Sequence, residues 1–443
     1  MNLPQGWIET NIGEIGELIR GVTYKKQDAS MTAFNSCFPI LRAKNITNSS
    51  LEFDDLIYIP EKYVVDEQLI RQNDIIICMS SGSKSLVGKA AIVEEDLSMS
   101  FGTFCGLLRI SNDINKKYIS LLMQSINYRK HIESLTKGTN INNLKREHIF
   151  SFSIPLPPLP EQHRIVTKIA SLFSELDNGA MLLKTIKAQL AIYRQAVLKW
   201  AFEGKDFKEI KMRQISEAFG GGAFKSTDFL PFGKYQVIRI GNVRPGVIRS
   251  SERPVFLNEL KQKENKYLLN KDDVVITLTG TRKKRDYGFS ALIDKDNLIL
   301  NQRVAAIRFF QDYLPKFFMY YSWTDRFKND FFEDETGNVG QGNVGMKAIT
   351  ETFIPICPKP EQLAIVSAIE SRLSVCDKLE QTIDQTLALS ASLRQSILKK
   401  AFEGRLVPQD PNDEPAEKLL ERIKAEKAAV LAKQKQTRKR GQK

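Results

Sequence analysis

Pro160-Glu161-Gln162 heads a stretch that ends in Leu198-Lys199-Trp200-Ala201-Phe202-Glu203-Gly204, and the pattern returns as Pro360-Glu361-Gln362 heading a stretch that ends in Leu398-Lys399-Lys400-Ala401-Phe402-Glu403-Gly404. Between these anchors Ile165-Val166 recurs as Ile365-Val366, Ile169 as Ile369, Asp177 as Asp377 and Arg194-Gln195 as Arg394-Gln395. The offset is 200 residues throughout, so neither copy carries an insertion. An internal repeat in fixed register decides the architecture before any single element is read.

Each copy reads as one long helix. Pro160 suits the first helical turn, Glu161 complements the positive end of the helix dipole, and Gly204 stands where a C-terminal glycine ends a helix. Leu176, Gly179, Leu183, Ile186, Leu190, Tyr193 and Val197 recur in alternating steps of three and four, a heptad seam. The second copy places Cys376, Leu379, Ile383, Thr386, Ser390, Leu393 and Ile397 in that seam, a weaker version. From 161 to 203 the helix would be about 64 Å long, more than a globular core needs, so a partner helix is implied. Two such helices, each following an equivalent domain, would pair antiparallel around a pseudo-two-fold axis.

Working outward, the 158 residues before the first helix and residues 205–357 before the second share a skeleton. In the first, Ile12, Ile15, Leu18 and Ile19 predict a helix stopped by Gly21. Strand-like runs follow at Phe38–Leu41, Leu56–Ile59, Asp74–Met79, Ala90–Val93 and Gly106–Ile110, then a helix over Lys117–Ser134 and a last strand over Ile149–Leu156. The second unit repeats this loosely: Gly221 to Lys225 stands for Gly21 to Lys25, Ile238-Arg239-Ile240-Gly241-Asn242-Val243 for Leu41-Arg42-Ala43-Lys44-Asn45-Ile46, and Asp273-Val274-Val275-Ile276 for Asp74-Ile75-Ile76-Ile77. Strands in runs rather than alternating units predict an α+β fold. The predicted organisation is therefore a domain at 1–158, a spacer helix at 159–204, a second domain at 205–357, a second spacer helix at 358–404 and a tail at 405–443. In the tail a short amphipathic helix, Ala416–Leu431, precedes a basic, disordered end. A shared skeleton with loops of different length and content is what two readers of different targets require.

Composition agrees with several domains and an acidic partner. The chain has 443 residues, 42% hydrophobic content, a net charge of +13 and a pI near 9.3, which point to nucleic acid. Five cysteines, none in a CxxC pair, argue against a disulfide framework or a zinc site. The N-terminus lacks a basic region followed by an apolar run, and no stretch of 18 apolar residues occurs, so a cytoplasmic chain is expected.

Catalytic motifs are missing from the sequence. His131, His148 and His163 have no metal-ligand spacing. Gly82-Ser83-Lys84-Ser85-Leu86-Val87-Gly88-Lys89-Ala90 resembles a phosphate loop but has one residue too many between its glycines, and Ala90 stands where magnesium needs a hydroxyl. No methyl-transfer or nuclease motif is visible, and neither cofactor nor metal is expected. The better candidates are DNA contacts. Tyr24, Lys25 and Lys26 occupy the loop that Phe224 and Lys225 occupy in the second unit, as a shared phosphate contact would. Arg282, Lys283, Lys284 and Arg285 follow a turn equivalent to the one carrying Lys84. Asn140, Asn142 and Asn143, with Gln341 and Asn343, precede the last strand of each unit; amides read adenine edges, and they also suit turns.

On these residues the chain resembles the specificity subunit of type I restriction-modification enzymes over nearly its whole length. The order of domains and helices carries the resemblance, together with Pro157-Pro158-Leu159-Pro160-Glu161-Gln162, Pro358-Lys359-Pro360-Glu361-Gln362 and the two Ala-Phe-Glu-Gly helix ends. Leu3-Pro4-Gln5-Gly6-Trp7 and Leu406-Val407-Pro408-Gln409-Asp410-Pro411-Asn412-Asp413-Glu414-Pro415 add to it. The resemblance implies two target recognition domains, each reading one half of an asymmetric split site in double-stranded DNA, and helices that act as a ruler between them. It also implies binding to two methyltransferase subunits and then to restriction and translocation subunits, in a system of phage defence. A helix of about 64 Å spans about 19 base pairs at 3.4 Å rise, which suits a ruler. Two other classes compete: a self-contained restriction-modification enzyme, which would need a methyltransferase motif in this chain, and a coiled-coil scaffold, whose DNA binding would be absent or indifferent to salt.

Overall fold

The computed structural model describes residues 3–47, 50–136, 143–310, 312–338 and 340–440. The chain divides into two compact units, Met1–Leu182 with Thr386–Lys443, and Leu183–Gln385. Each unit therefore owns half of each long helix, Leu159–Phe202 and Lys359–Phe402, both 44 residues and about 66 Å long at 1.5 Å per residue.

In the first unit the main sheet runs in the order Gly16–Arg20, Cys105–Ile110, Ile75–Cys78, Ala90–Ile92, with antiparallel neighbours throughout. A second sheet orders Ile57–Pro60, Cys37–Leu41, Ser100–Phe101, its last pairing parallel. Ile8–Asn11 pairs with Ser153–Leu156 and ties the start of the domain to its end. All-apolar Ile75-Ile76-Ile77-Cys78 is buried on both faces, which is why it reads as a run rather than an alternation.

The second unit repeats this plan. Ser216–Gly220, Val304–Phe309, Val274–Thr277 and Ser290–Leu292 form its main sheet, and Lys208–Lys211 pairs with Phe353–Ile356. Its second sheet gains a strand, in the order Phe256–Leu257, Tyr235–Ile238, Leu298–Leu300, Leu268–Leu269. It also has a small sheet with no counterpart of that size among the described residues of the first unit: Thr279–Gly280, Gly342–Asn343, Thr336–Gly337. One arginine clamp holds each main sheet. Arg109 donates to Asp74 at 2.9 and 2.7 Å, and Arg308 to Asp273 at 2.8 and 2.7 Å.

Three local expectations are corrected. The predicted helix through Ile12, Ile15, Leu18 and Ile19 is a four-residue turn, Ile12–Ile15, followed by strand Gly16–Arg20. Pairing with Cys105–Ile110 outweighs the helical spacing, and Gly16 admits Ile110 at 2.8 Å from where a Cβ would stand. Lys117–Ser134 is two helices, Lys116–Leu122 and Ile126–Thr136, broken where Ser125 Oγ accepts from Tyr128 N. Ile149–Leu156 is the end of helix Arg146–Phe150 and then strand Ser153–Leu156.

The helix seam is shifted. Gly179, Tyr193, Leu379, Thr386 and Leu393 are exposed, whereas Ala180, Lys187, Arg194, Glu380, Leu387 and Arg394 are half-buried. The seam positions are 173, 176, 180, 183, 187, 190, 194 and 197, and the same positions plus 200 in the second helix. Charged residues hold several of them by laying aliphatic stems along the seam and pairing their ends across it, so an apolar count selects the wrong neighbour. In the second unit Arg194 meets Asp377 at 2.6 Å and Lys187 meets Asp384 at 2.6 Å. In the first unit Arg394 pairs with Asp177 and stacks 4.4 Å above the Phe173 ring. Within each unit the helix segments run antiparallel.

Both Ala-Phe ends sit in domain cores. Phe202 packs against Phe317 and Tyr321 at 5.1 and 5.4 Å, and Phe402 against Tyr118 at 5.4 Å. Gly204 and Gly404 then take positive φ, 75° and 68°, and end their helices as expected. The tail packs on the first unit. Ala416 N donates to Gly6 O at 2.9 Å, Arg164 meets Asp413 at 2.6 Å, and Leu419, Leu420 and Ile423 join the core around Ile12 and Ile15. Its helix is longer than predicted, Ala416–Arg440, so helix replaces the disorder expected from Lys433 onward as far as Arg440. Among the described residues no helix is long and apolar enough to cross a membrane.

Candidate nucleic-acid interface

Each main sheet ends in a turn that carries a hydroxyl, and each turn is met by an asparagine from the segment before the last strand. In the second unit Thr279 pairs with Asn343 in register, and Thr279 Oγ1 donates to Asn343 Oδ1 at 2.8 Å. In the first unit Ser80 forms the equivalent bridge with Asn143. Backbone bonds fix both in the same way: Leu144 N to Met79 O at 2.7 Å, and Val344 N to Leu278 O at 2.9 Å. A third segment crosses the same place. Met79 N and Ser80 N donate to Phe104 O at 2.8 and 3.1 Å, and Leu278 N donates to Arg303 O at 3.0 Å.

Around the second of these turns lies a cleft of about 440 Å³ lined by Thr279, Gln302, Arg303, Asn338, Gln341 and Asn343. The structure thus places Gln341 and Asn343 on one cleft. Gln302, Arg303 and Asn338 join them without having been singled out in the sequence. The signal for Arg303 was present: residues 104 and 303 share the 199-residue offset that links Asp74 to Asp273.

The expected basic contacts divide. Lys25, Lys26 and Lys225 are exposed at the start of short helical turns. Tyr24 and Phe224 are instead half-buried, Tyr24 against Val22, Ile40 and Ile59, and Phe224 edge-on to Tyr267 at 6.2 Å. They anchor those loops from beneath. Arg282 pairs with Glu335 at 3.4 Å, and Arg285 sits 4.9 Å over the Phe332 ring, so both are engaged in building their loop. Thr281 N donates to Asp286 at 2.6 Å, which holds that carboxyl below its usual range. Lys283 and Lys284 are exposed at the tip. Lys84 is exposed on a loop that leads into strand Ala90–Ile92, whereas a phosphate loop opens a helix. Asn140 and Asn142 lie outside the described residues.

Elsewhere the polar groups serve the fold. His131 Nε2 lies 2.9 Å from His148 O, His148 Nδ1 accepts from Lys145 N, and His163 Nδ1 lies 3.0 Å from Asn115 Nδ2. Among the described residues no group of three His, Cys, Asp or Glu side chains is placed to hold a metal. The cysteines are free, and burial pushes the Cys78 and Cys105 thiols up to about 11 and about 12. Gln162 and Gln362 explain the repeated triplet. Each accepts from a backbone N–H of its domain, Asn115 at 3.0 Å and Leu314 at 2.7 Å, and each donates to the carbonyl five residues before it.

Comparison with known proteins identifies the family. The type I restriction modification DNA specificity domain family matches the chain twice, over residues 4–191 and 204–389. The chain is 32% identical over 451 residues to the type I restriction enzyme EcoKI specificity subunit of Escherichia coli K12, covering 96% of this chain and 97% of that protein. It is 31% identical over 450 residues to the StySPI specificity subunit of Salmonella potsdam, covering 96% of both. Among solved structures, a chain from work on the assembly and conformational transition of the type I R-M system superposes with a TM-score of 0.74 at 18% identity, covering 92% of this chain and all of that one. The HsdS subunit from Thermoanaerobacter tengcongensis follows at 0.59 and 18%, covering 92% and 99%. At those identities the likeness is one of fold.

Proposed function

The chain belongs to the type I restriction-modification specificity-subunit family, and from that premise we propose that it is the non-catalytic DNA-recognition subunit of such a complex. The domains at 1–158 and 205–357 each read one half of a split asymmetric site. One observation carries this reading: a single sheet plan, built twice, holds a hydroxyl and an asparagine in one register while the surrounding loops differ. Two copies of one scaffold with unlike loops bind unlike half-sites, whereas a self-complementary site would need like loops.

The long helices serve as spacer and dock. Exposed apolar side chains stand on the helix pair of each unit: Met181, Leu182, Leu389 and Leu393 in the first, Ile192, Tyr193, Val375 and Leu379 in the second. Apolar groups at this density on charged helices mark an interaction surface, and two such surfaces suit two methyltransferase subunits, with restriction and translocation subunits joining afterwards.

Methylation mapping by long-read sequencing of cells expressing the chain with its methyltransferase tests the reading. The expected motif is two unlike half-sites around a spacer of fixed length. A continuous or palindromic motif would refute it, as would the absence of methylation.

A further inference from the structure

We propose that Arg303 and Phe104 are the side chains that make the two half-sites different: Arg303 reads a guanine and Phe104 a thymine methyl, at the same place on equivalent scaffolds. This rests on the recognition function proposed above and assigns residues within it.

Three positions meet at each turn. Two are alike in chemistry, Ser80 with Asn143 and Thr279 with Asn343. The third, fixed by backbone bonds from Met79 and Ser80 or from Leu278, is Phe104 in one unit and Arg303 in the other. A position whose backbone is held and whose side chain changes from cationic to aromatic has the form of a read-out position.

Arg303 is exposed at the cleft, and among the described residues no carboxylate lies within ion-pairing distance of it. Its neighbours are differently placed: Arg282 is paired with Glu335, Arg308 is clamped on Asp273, and Arg244 donates to Val243 O at 2.7 Å. A guanidinium left with its donors open beside an amide cluster matches the O6 and N7 acceptors of guanine in the major groove. The Thr279 hydroxyl occupies Asn343 Oδ1, so that amide offers its NH2 donors and also seeks acceptors.

Phe104 is 63% exposed although its own carbonyl accepts from Met79 N and Ser80 N and the next residue, Cys105, donates to Gly102 O. A ring held out in water by rigid backbone gains by covering apolar surface, and the thymine methyl is the apolar group that the major groove presents.

The test uses the full complex and its methylation motif. Arg303→Ala should lower discrimination about tenfold to a hundredfold at one guanine of one half-site and leave the other half unchanged. Phe104→Ala should relax one thymine position in the other half alone. Arg303→Lys keeps the charge but loses the planar two-pronged fork, so it should discriminate at the same guanine less sharply than the parent and more sharply than Arg303→Ala. If the Arg303 variants instead slow methylation equally on all sites, with a shallower salt dependence, Arg303 is a phosphate contact and the assignment is wrong. Unchanged motifs, or changes in both halves from one substitution, overturn it as well. If the unsubstituted complex gives no split motif, the recognition reading itself fails; if it does and the variants match it, only this assignment fails.

Discussion

Arg194 Nη2 stands 2.6 Å from Asp377 Oδ1, and the pair returns as Arg394 with Asp177, residue for residue across the 200-residue repeat. The helix repeat is thus a repeat of contacts as well as of letters. Arg194 also reaches Glu380 at 3.1 Å, so one guanidinium spans two carboxylates. Replacing Arg194 by Ala should cost about 0.5–1 kcal/mol, because the carboxylates are largely in water. A double-mutant cycle with Asp377→Ala, measured by urea denaturation, should return a coupling of that order. A coupling indistinguishable from zero would make the pair ornamental.

Gln162 and Gln362 are buried, and they satisfy two and three backbone groups respectively. Gln162→Ala and Gln362→Ala should each lower stability by about 1–3 kcal/mol, since they leave buried N–H and C=O groups unpaired. Hydrogen exchange will localise the loss, at Asn115 for the first and Leu314 for the second. Equal loss of protection at both sites from either single substitution would contradict it.

Gly21 and Gly221 hold the junction between the two sheets. A Cβ at Gly21 would lie 2.1 Å from Gly102 O, and one at Gly221 2.2 Å from Asn301 O. Both obstacles are backbone, so Gly21→Ala and Gly221→Ala should each destabilise by about 1–3 kcal/mol or more. Thermal melts should show the loss; a variant melting with the parent would mean that the strands separate more easily than this packing implies.

Glu161 is buried and accepts from Trp7 Nε1 at 3.0 Å, and burial raises its carboxyl above the usual value of 4.5. The folded state therefore holds the proton more tightly than the unfolded state. The sign follows: stability from this group is fully present below pH 4.5 and is lost as pH rises through the raised value. Glu161→Gln, which still accepts from Trp7, should gain on the parent as pH rises from 4.5 and keep a constant advantage once both carboxyls have ionised. Urea midpoints across pH 4.5–8 check this; a difference independent of pH would refute the burial argument.

The domain plan was legible because the Pro-Glu-Gln and Ala-Phe-Glu-Gly anchors have fixed backbone duties, so their letters repeat. Where side chains do two jobs the letters misled. Leu18 and Ile19 fit a helix by spacing but pair as a strand with Leu108 and Leu107. Lys187 and Arg194 lie in the seam although they are charged. The proposed interface was legible at Asn343, whose side chain accepts from Thr279, and at its counterpart in register, Asn143. The two proposed read-out positions, Phe104 and Arg303, were hidden, because their shared place is set by backbone bonds and their side chains share no chemistry. Tyr24 and Phe224, expected at the DNA, fill space under their loops.

Phe402 and the helix from Ala416 complete a core whose other walls were laid down near Ile12 and Tyr118. On the ribosome the order of synthesis therefore differs from the order of completion. Residues 183–385 emerge as a contiguous set and need nothing made later, whereas the domain begun first waits for the last sixty or so residues before its core can close. Until then Ile12, Ile15 and Tyr118 lack their final cover. A chain arrested before Phe402 should accordingly expose the earlier-made domain to protease while protecting the later-made one.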